Sequence, residues 1–169
     1  MNAPSSISPE IDVAIEYEGW STALPDAEDV CRQAAVAALG PRRERGLAIL
    51  LTDDEQVRGL NARFRGRDAP TNVLSFAAAD TALGHLGDIA LALGVCRSEA
   101  DAQAKPLADH LRHLVIHGVL HLLGYDHQDD DQAAIMEGLE CQLLAGMGVV
   151  DPYAARSSDD VAKDTLHHG

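Results

Sequence analysis

Three of the eight histidines stand in one eleven-residue run, His117-Gly118-Val119-Leu120-His121-Leu122-Leu123-Gly124-Tyr125-Asp126-His127. His117 and His121 are related as i and i+4, so a helix through them sets both imidazoles on one face, about one turn apart. Gly124 offers a left-handed stop at the helix end, the conformation that costs glycine least. The chain can then turn back and bring His127 to the same point. Three neutral imidazoles with a water in the fourth position are the ligand set of an open, catalytic zinc site, whereas a structural site normally closes that position with a protein ligand, usually Cys. No Cys lies near this run.

The elements that must position these side chains can be read from periodicity. A helix over about 107–123 carries the histidines. At about 100° per residue, His110 falls between His117 and His121, and His113 lies about as far to the other side of His117. Leu107, Leu111, Leu114, Val115 and Leu122 occupy an adjoining arc, so one stripe buries against a sheet while its neighbour presents imidazoles. The alternation at 11–17 predicts a half-buried strand. The unbroken apolar run at 47–51 predicts a central strand covered on both faces. Two further strands, 72–76 and 87–93, are expected to pair antiparallel, joined by small residues at 77–84. Helices are expected over 26–39, opened by Pro25-Asp26 and closed by Gly40-Pro41, and from Thr52 as N-cap, with Glu55 at the capping-box position, to about 64. Two more fall at about 94–103 and 130–147, the last with Ile135, Leu139, Leu143 and Leu144 at helical spacing. Residues 65–71 read as an ordered loop.

This order predicts one α/β (α+β) domain over 10–152, a small mixed sheet packed by helices with the metal-bearing helix beside it. Residues 1–9, with Pro4 and Pro9, read as a disordered lead-in, and 153–169 as a polar, loose tail. A chain of 169 residues is long enough to bury about two-thirds of its unfolded surface. Aromatics make up only 4% of it, so the core must be built from Leu, Val, Ile and Ala. Cys31, Cys96 and Cys141 are odd in number, widely spaced and without a CxxC pair, which favours buried free thiols in a reducing compartment. The N-terminus has no basic start followed by an apolar stretch, and no apolar run approaches the ~20 residues of a membrane helix. A cytoplasmic protein without a membrane partner is expected. A net charge of −14 argues against broad, non-specific nucleic-acid binding. Residues 42–67 run against that balance, since seven arginines face four carboxylates there. They form either a local basic face or a solvated helix surface.

The His117 spacing is also that of the metzincin zinc proteases, whose pattern begins His-Glu with the Glu as general base. Gly118 holds that place here, which removes peptide hydrolysis by that route and leaves the metal, or another group, to activate water. The whole run, His-Gly-x-Leu-His-Leu-x-Gly-Tyr-Asp-His, resembles the signature of the bacterial YbeY family, metal-dependent endoribonucleases of ribosomal RNA maturation. The segment Arg65-Gly66-Arg67-Asp68-Ala69-Pro70-Thr71-Asn72-Val73-Leu74-Ser75-Phe76 is similar to a second family segment, and Leu86-Gly87-Asp88-Ile89 to a weaker third. Together they span roughly 45–145. The acidic balance and the polar tail are not accounted for by the resemblance.

The resemblance implies a compact, distantly zincin-like domain with His117, His121 and His127 as ligands of one zinc ion, nickel not being excluded by ligand type. It makes Arg65 the catalytic arginine at the mouth of the site, acting with the metal held at His117. It implies single-strand-specific cleavage of ribosomal RNA precursors in rRNA maturation and ribosome quality control, with the small ribosomal subunit and its assembly proteins as partners. The chemistry agrees from below. Phosphodiester hydrolysis adds negative charge to the non-bridging oxygens, and a metal ion and an arginine fork are suited to that charge. A metal can bring a water pKa near 7 without the missing Glu.

Around this centre several roles stay open. His113 is a donor to a ligand, a proton carrier, or a core histidine bonded to a backbone carbonyl. Asp126 and Asp88 could orient a ligand histidine, Asp126 serving equally as an Asx-turn residue and Asp88 as a strand-end residue. Arg63 and Arg67 either track phosphates or are solvated. Thr71 and Asn72 would fix the loop that aims Arg65. Two other functions compete: a metal-dependent hydrolase of a peptide or small ester, and a ribosome-assembly factor whose metal staples the helix to its C-terminal turn.

Overall fold

The apolar run at 47–51 lies inside a four-stranded sheet. The computed structural model describes residues 10–42, 45–79, 84–126 and 128–149; the lead-in 1–9, the tail 153–169 and His127 lie outside the described residues. The strands are β1 (Ile11–Ile15), β2 (Gly46–Thr52), β3 (Val73–Ala77) and β4 (His85–Ala92), in the order β1-β2-β4-β3. β1 and β4 run parallel to β2, and β3 pairs antiparallel with β4, Val73 opposite Leu91 and Phe76 opposite Asp88. The helices among the described residues are α1 (Gly19–Ala23), α2 (Ala27–Leu39), α3 (Asp54–Arg65), α4 (Leu93–Ala102), α5 (Leu107–Leu122) and α6 (Asp130–Gly146).

Successive side chains of a strand point to opposite faces, and here the two faces enter different cores. Leu47, Ile49 and Leu51 of β2, with Ile89 and Leu91 of β4, face the larger core, shared with α2 and α5. Leu74, Ala90 and Ala92 face a smaller one closed by Val57 of α3. The central strand is thus covered on both sides. The larger core contains Ala27, Ala34, Ala35 and Ala38 of α2, small side chains that let this helix lie close against α5. Cys31 and Cys96 are buried free thiols, and Cys141 is half-buried. Burial, with help from Glu28, pushes the Cys31 thiol up to about 12, so it is no nucleophile.

Three expectations need correction. The first strand ends at Ile15, and a short helix follows it: Trp20 of α1 is fully buried, and its indole N–H donates to the carbonyl of Thr52 at 2.8 Å. A single tryptophan satisfied at a strand end explains a helix too short to have a readable period. Thr52 does not cap α3. It stays in β2, and Asp53 accepts from the backbone N–H of Gln56 at 2.8 Å. The buried face of α6 is Met136, Glu140 and Leu144, leaving Ile135 62% exposed, because Glu140 is turned inward to meet the histidines of α5.

Candidate active site

α5 starts after Pro106 and buries Leu111, Leu114, Val115, Ile116, Val119 and Leu120. Its sheet-facing contact is set by Gly118. A Cβ there would sit 3.0 Å from Ile89 Cδ1 and 3.1 Å from Ser75 Oγ, tighter than ordinary contact, so any larger residue would make these side chains give way for the helix to lie this close to β3 and β4. Gly118 therefore has a packing role besides being the place where a glutamate is missing. On the neighbouring stripe the rings of His117 and His121 meet edge to face, centroids 4.7 Å apart at 79°. The helix stops as expected. Gly124 adopts φ 105°, and the Gly124 and Tyr125 N–H groups return to the carbonyls of His121 and Leu120 at 3.0 Å each. These are the two bonds of a Schellman turn.

Beneath the histidines lies a group that periodicity alone did not single out. Glu140, only 1% exposed, accepts from His113 Nε2 at 2.8 Å and from His117 Nδ1 at 2.7 Å. Burial by itself would raise its pKa, but the two histidine hydrogen bonds outweigh burial and hold the carboxyl down to about 2. A carboxylate on Nδ1 fixes the ring of His117 and its tautomer, so that the lone pair lies on Nε2. His113 is the second arm of the same clamp, through its Nε2. The signal for Glu140 was present in the sequence, as a charged residue between Met136 and Leu144 on an apolar stripe, where a charge must be paired.

The other carboxylates and imidazoles go elsewhere. Asp88 is exposed and bonds His85 at 3.2 Å, not a histidine of α5. His110 is buried and bonds Glu99 at 2.8 Å, and Glu99 also accepts from the Asn72 side chain at 3.0 Å. Burial raises the Glu99 pKa, but the bonds from His110 and Asn72 prevail and hold it below the usual carboxylate value. Among the described residues no three such donors form a metal cage, His127 being outside them. The His117–His121 pair, with a buried carboxylate behind one ring, fits the helical part of a three-histidine metal set.

Arg65 is the last residue of α3, and Gly66 closes that helix in the left-handed region at φ 70°. The Arg65 guanidinium donates through Nη2 to the carbonyl of Ser75, and its carbon lies 5.3 Å from the centre of the Phe76 ring. Ser75 Oγ in turn donates to the carbonyl of Gly118 at 3.4 Å. Arg65 is therefore moored to β3 at the residue that touches α5 between its two histidines. The loop after it is ordered by its own contacts: Asn61 Nδ2 to the Ala69 carbonyl at 2.8 Å, Arg58 to Asp68 at 2.8 Å, and Asn72 Oδ1 accepting from Val73 N–H at 2.7 Å. Asn72 thus ties the loop to α4 through Glu99.

Residues 17–148 match the family profile described as Endoribonuclease YbeY. The chain belongs to the endoribonuclease YbeY family. It is 51% identical over 160 residues to the "Endoribonuclease YbeY" of Paramagnetospirillum magneticum, covering 88% of this chain and 98% of that one. It is 51% identical over 154 residues to that of Azorhizobium caulinodans, covering 86% and 96%. A solution structure of a Thermotoga maritima protein has the same fold, with a TM-score of 0.56 at 24% identity, covering 89% of this chain and 93% of that one. Membership in the YbeY family makes this chain one of a group of enzymes, and its mixed sheet with α5 beside it is the architecture expected from the sequence. Among the described residues no helix is long and apolar enough to cross a membrane.

Proposed function

We propose that this chain is a zinc-dependent endoribonuclease that cleaves single-stranded RNA. Its substrates are precursors of ribosomal RNA, its setting is rRNA maturation and ribosome quality control in the cytoplasm, and its partners are the small ribosomal subunit and its assembly proteins. The observation that carries the reading is the convergence on one stretch of α5. Its histidine pair is backed by Glu140, and Arg65 is moored through Ser75 to the carbonyl of Gly118.

His117, His121 and His127 would hold the ion, with nickel the nearest alternative. Bound there, it supplies positive charge for the phosphoryl oxygens and lowers the pKa of the attacking water. The chain's own residues do the rest. Glu140 holds the proton on His117 Nδ1 and keeps that ring in place. Arg65 brings a permanent charge and several N–H donors in a planar fork, the geometry that matches phosphate. Gly118 cannot act as a base, and a glutamate there would be driven into Ile89 and Ser75.

The test pairs His121→Ala with Arg65→Ala. Both variants should lose cleavage of single-stranded RNA by at least about a hundredfold, the scale of losing one transition-state charge donor. Only His121→Ala should also lose bound metal in elemental analysis. A purely structural metal would give a different pair of results: an unstable His121→Ala protein and an Arg65→Ala protein that supports ribosome maturation at the wild-type level.

A further inference from the structure

Phe64 is the most exposed aromatic side chain among the described residues, at 58%, in a protein with only two phenylalanines. Its ring is nonetheless held. Its centroid lies 5.4 Å from that of Phe76 at 62°, and the guanidinium carbon of Arg63 lies 5.5 Å from it. Arg65 sits on the Phe76 side of the pair at 5.3 Å. Two rings and two guanidinium groups therefore form one continuous strip. A scattered exposed hydrophobic residue would need no explanation. This one is fixed in place, flanked by charge, and joined through Arg65 and Ser75 to α5.

Carboxylates neutralise little of the charge around it. Arg58 is taken by Glu55 and Asp68. Among the described residues no carboxylate pairs with Arg63, Arg65 or Arg67, in a chain of net charge −14. Aromatic faces beside arginines are how proteins hold unpaired bases: the ring stacks on the base, and the cation meets the neighbouring phosphate. A duplex, whose bases are already stacked and paired, cannot offer that face.

We propose that Phe64, flanked by Arg63 and Arg65, is a stacking platform for one unpaired base of single-stranded RNA next to the cleaved phosphodiester. This inference rests on the RNA-cleaving reading above. It assigns the single-strand preference to a particular side chain.

The test has two arms. Kinetics on a single-stranded oligoribonucleotide should show Phe64→Ala with KM raised about tenfold or more and Phe64→Tyr restored to near wild type. Replacing one base of the substrate by an abasic residue should raise KM for the wild type and change little for Phe64→Ala. The second arm needs no cleavage. Trp20 is the only tryptophan and is fully buried, so Phe64→Trp adds a single exposed reporter. Its emission should be quenched by single-stranded oligonucleotides and unchanged by a duplex or an all-abasic strand of equal charge. A folded Phe64→Ala protein with wild-type KM, or equal quenching by the abasic strand, would overturn the platform. So would a blue shift with rising protein concentration alone, which would mark a contact between copies of the chain. If the wild type cuts no RNA yet Phe64→Trp is quenched selectively, the platform stands and the catalytic reading fails.

Discussion

Glu140 is the side chain on which the histidine face depends. Its two oxygens each accept from a different imidazole, so its loss would leave His113 and His117 without the carboxylate that fixes their rings. Glu140→Gln keeps the volume but has only one acceptor oxygen. It should lower metal affinity about 10- to 100-fold, measured by competition with a chromophoric chelator. Glu140→Ala should in addition lower unfolding stability by about 3 kcal/mol, read from denaturant titration, because a buried polar network loses its centre. An unchanged affinity in both variants would show that His117 is oriented by something else. The contrast between these residues also explains what could be read in advance. His117 and His121 are neighbours through helix geometry, so their spacing exposes them. Glu140 meets His117 across 23 positions of chain, and only a charge standing in an apolar stripe hinted at it. The helical spacing of Ile135, Leu139, Leu143 and Leu144 masks that hint, since an apolar pattern does not register a buried charge's need for partners.

At the level of elements, α5 must lie close on the sheet. Gly118→Ala places a methyl group 3.0 Å from Ile89 Cδ1 and 3.1 Å from Ser75 Oγ. Overpacking of this kind costs about 1–3 kcal/mol. The expected result is a lower melting temperature together with weaker RNA cleavage, because the shift separates α5 from the Ser75 mooring of Arg65. Wild-type melting would mean that the sheet yields without cost. The strands and long helices were readable because each has enough residues to display its period. α1 was not readable. Its five residues show no period, and its position is decided by one tryptophan whose N–H finds the end of β2. The cap of α3 was misplaced by one residue for a similar reason. Thr and Asp are both good caps, and only the sheet register decides that Thr52 belongs to the strand.

Across the whole molecule, the sheet joins two differently held regions: the histidine-bearing α5 on one side, and α3 with its arginine loop on the other. Asn72, Glu99 and His110 connect the start of β3, α4 and α5. The Glu99 carboxyl is held below its ordinary value of 4.5 in the fold, so ionised Glu99 favours the folded state above that pH. That stability is lost as pH falls through the lower, folded-state pKa. The stability gap between wild type and Glu99→Gln should therefore be widest above about pH 5 and close under acid conditions, as followed by urea unfolding across pH. A gap independent of pH would remove the carboxylate from the account. The fold class, the antiparallel β3–β4 pair and the helical histidines were legible because they follow local patterns. The mooring of Arg65 was not, because it runs through a backbone carbonyl and a serine that no motif marks by its chemistry. The most direct test of the central claim is cleavage of a labelled single-stranded oligoribonucleotide by the wild-type protein, first stripped of metal by a chelator and then given one equivalent of zinc. Cleavage lost on stripping and recovered at one equivalent is the predicted result; cleavage that continues at full rate in the stripped protein would contradict it.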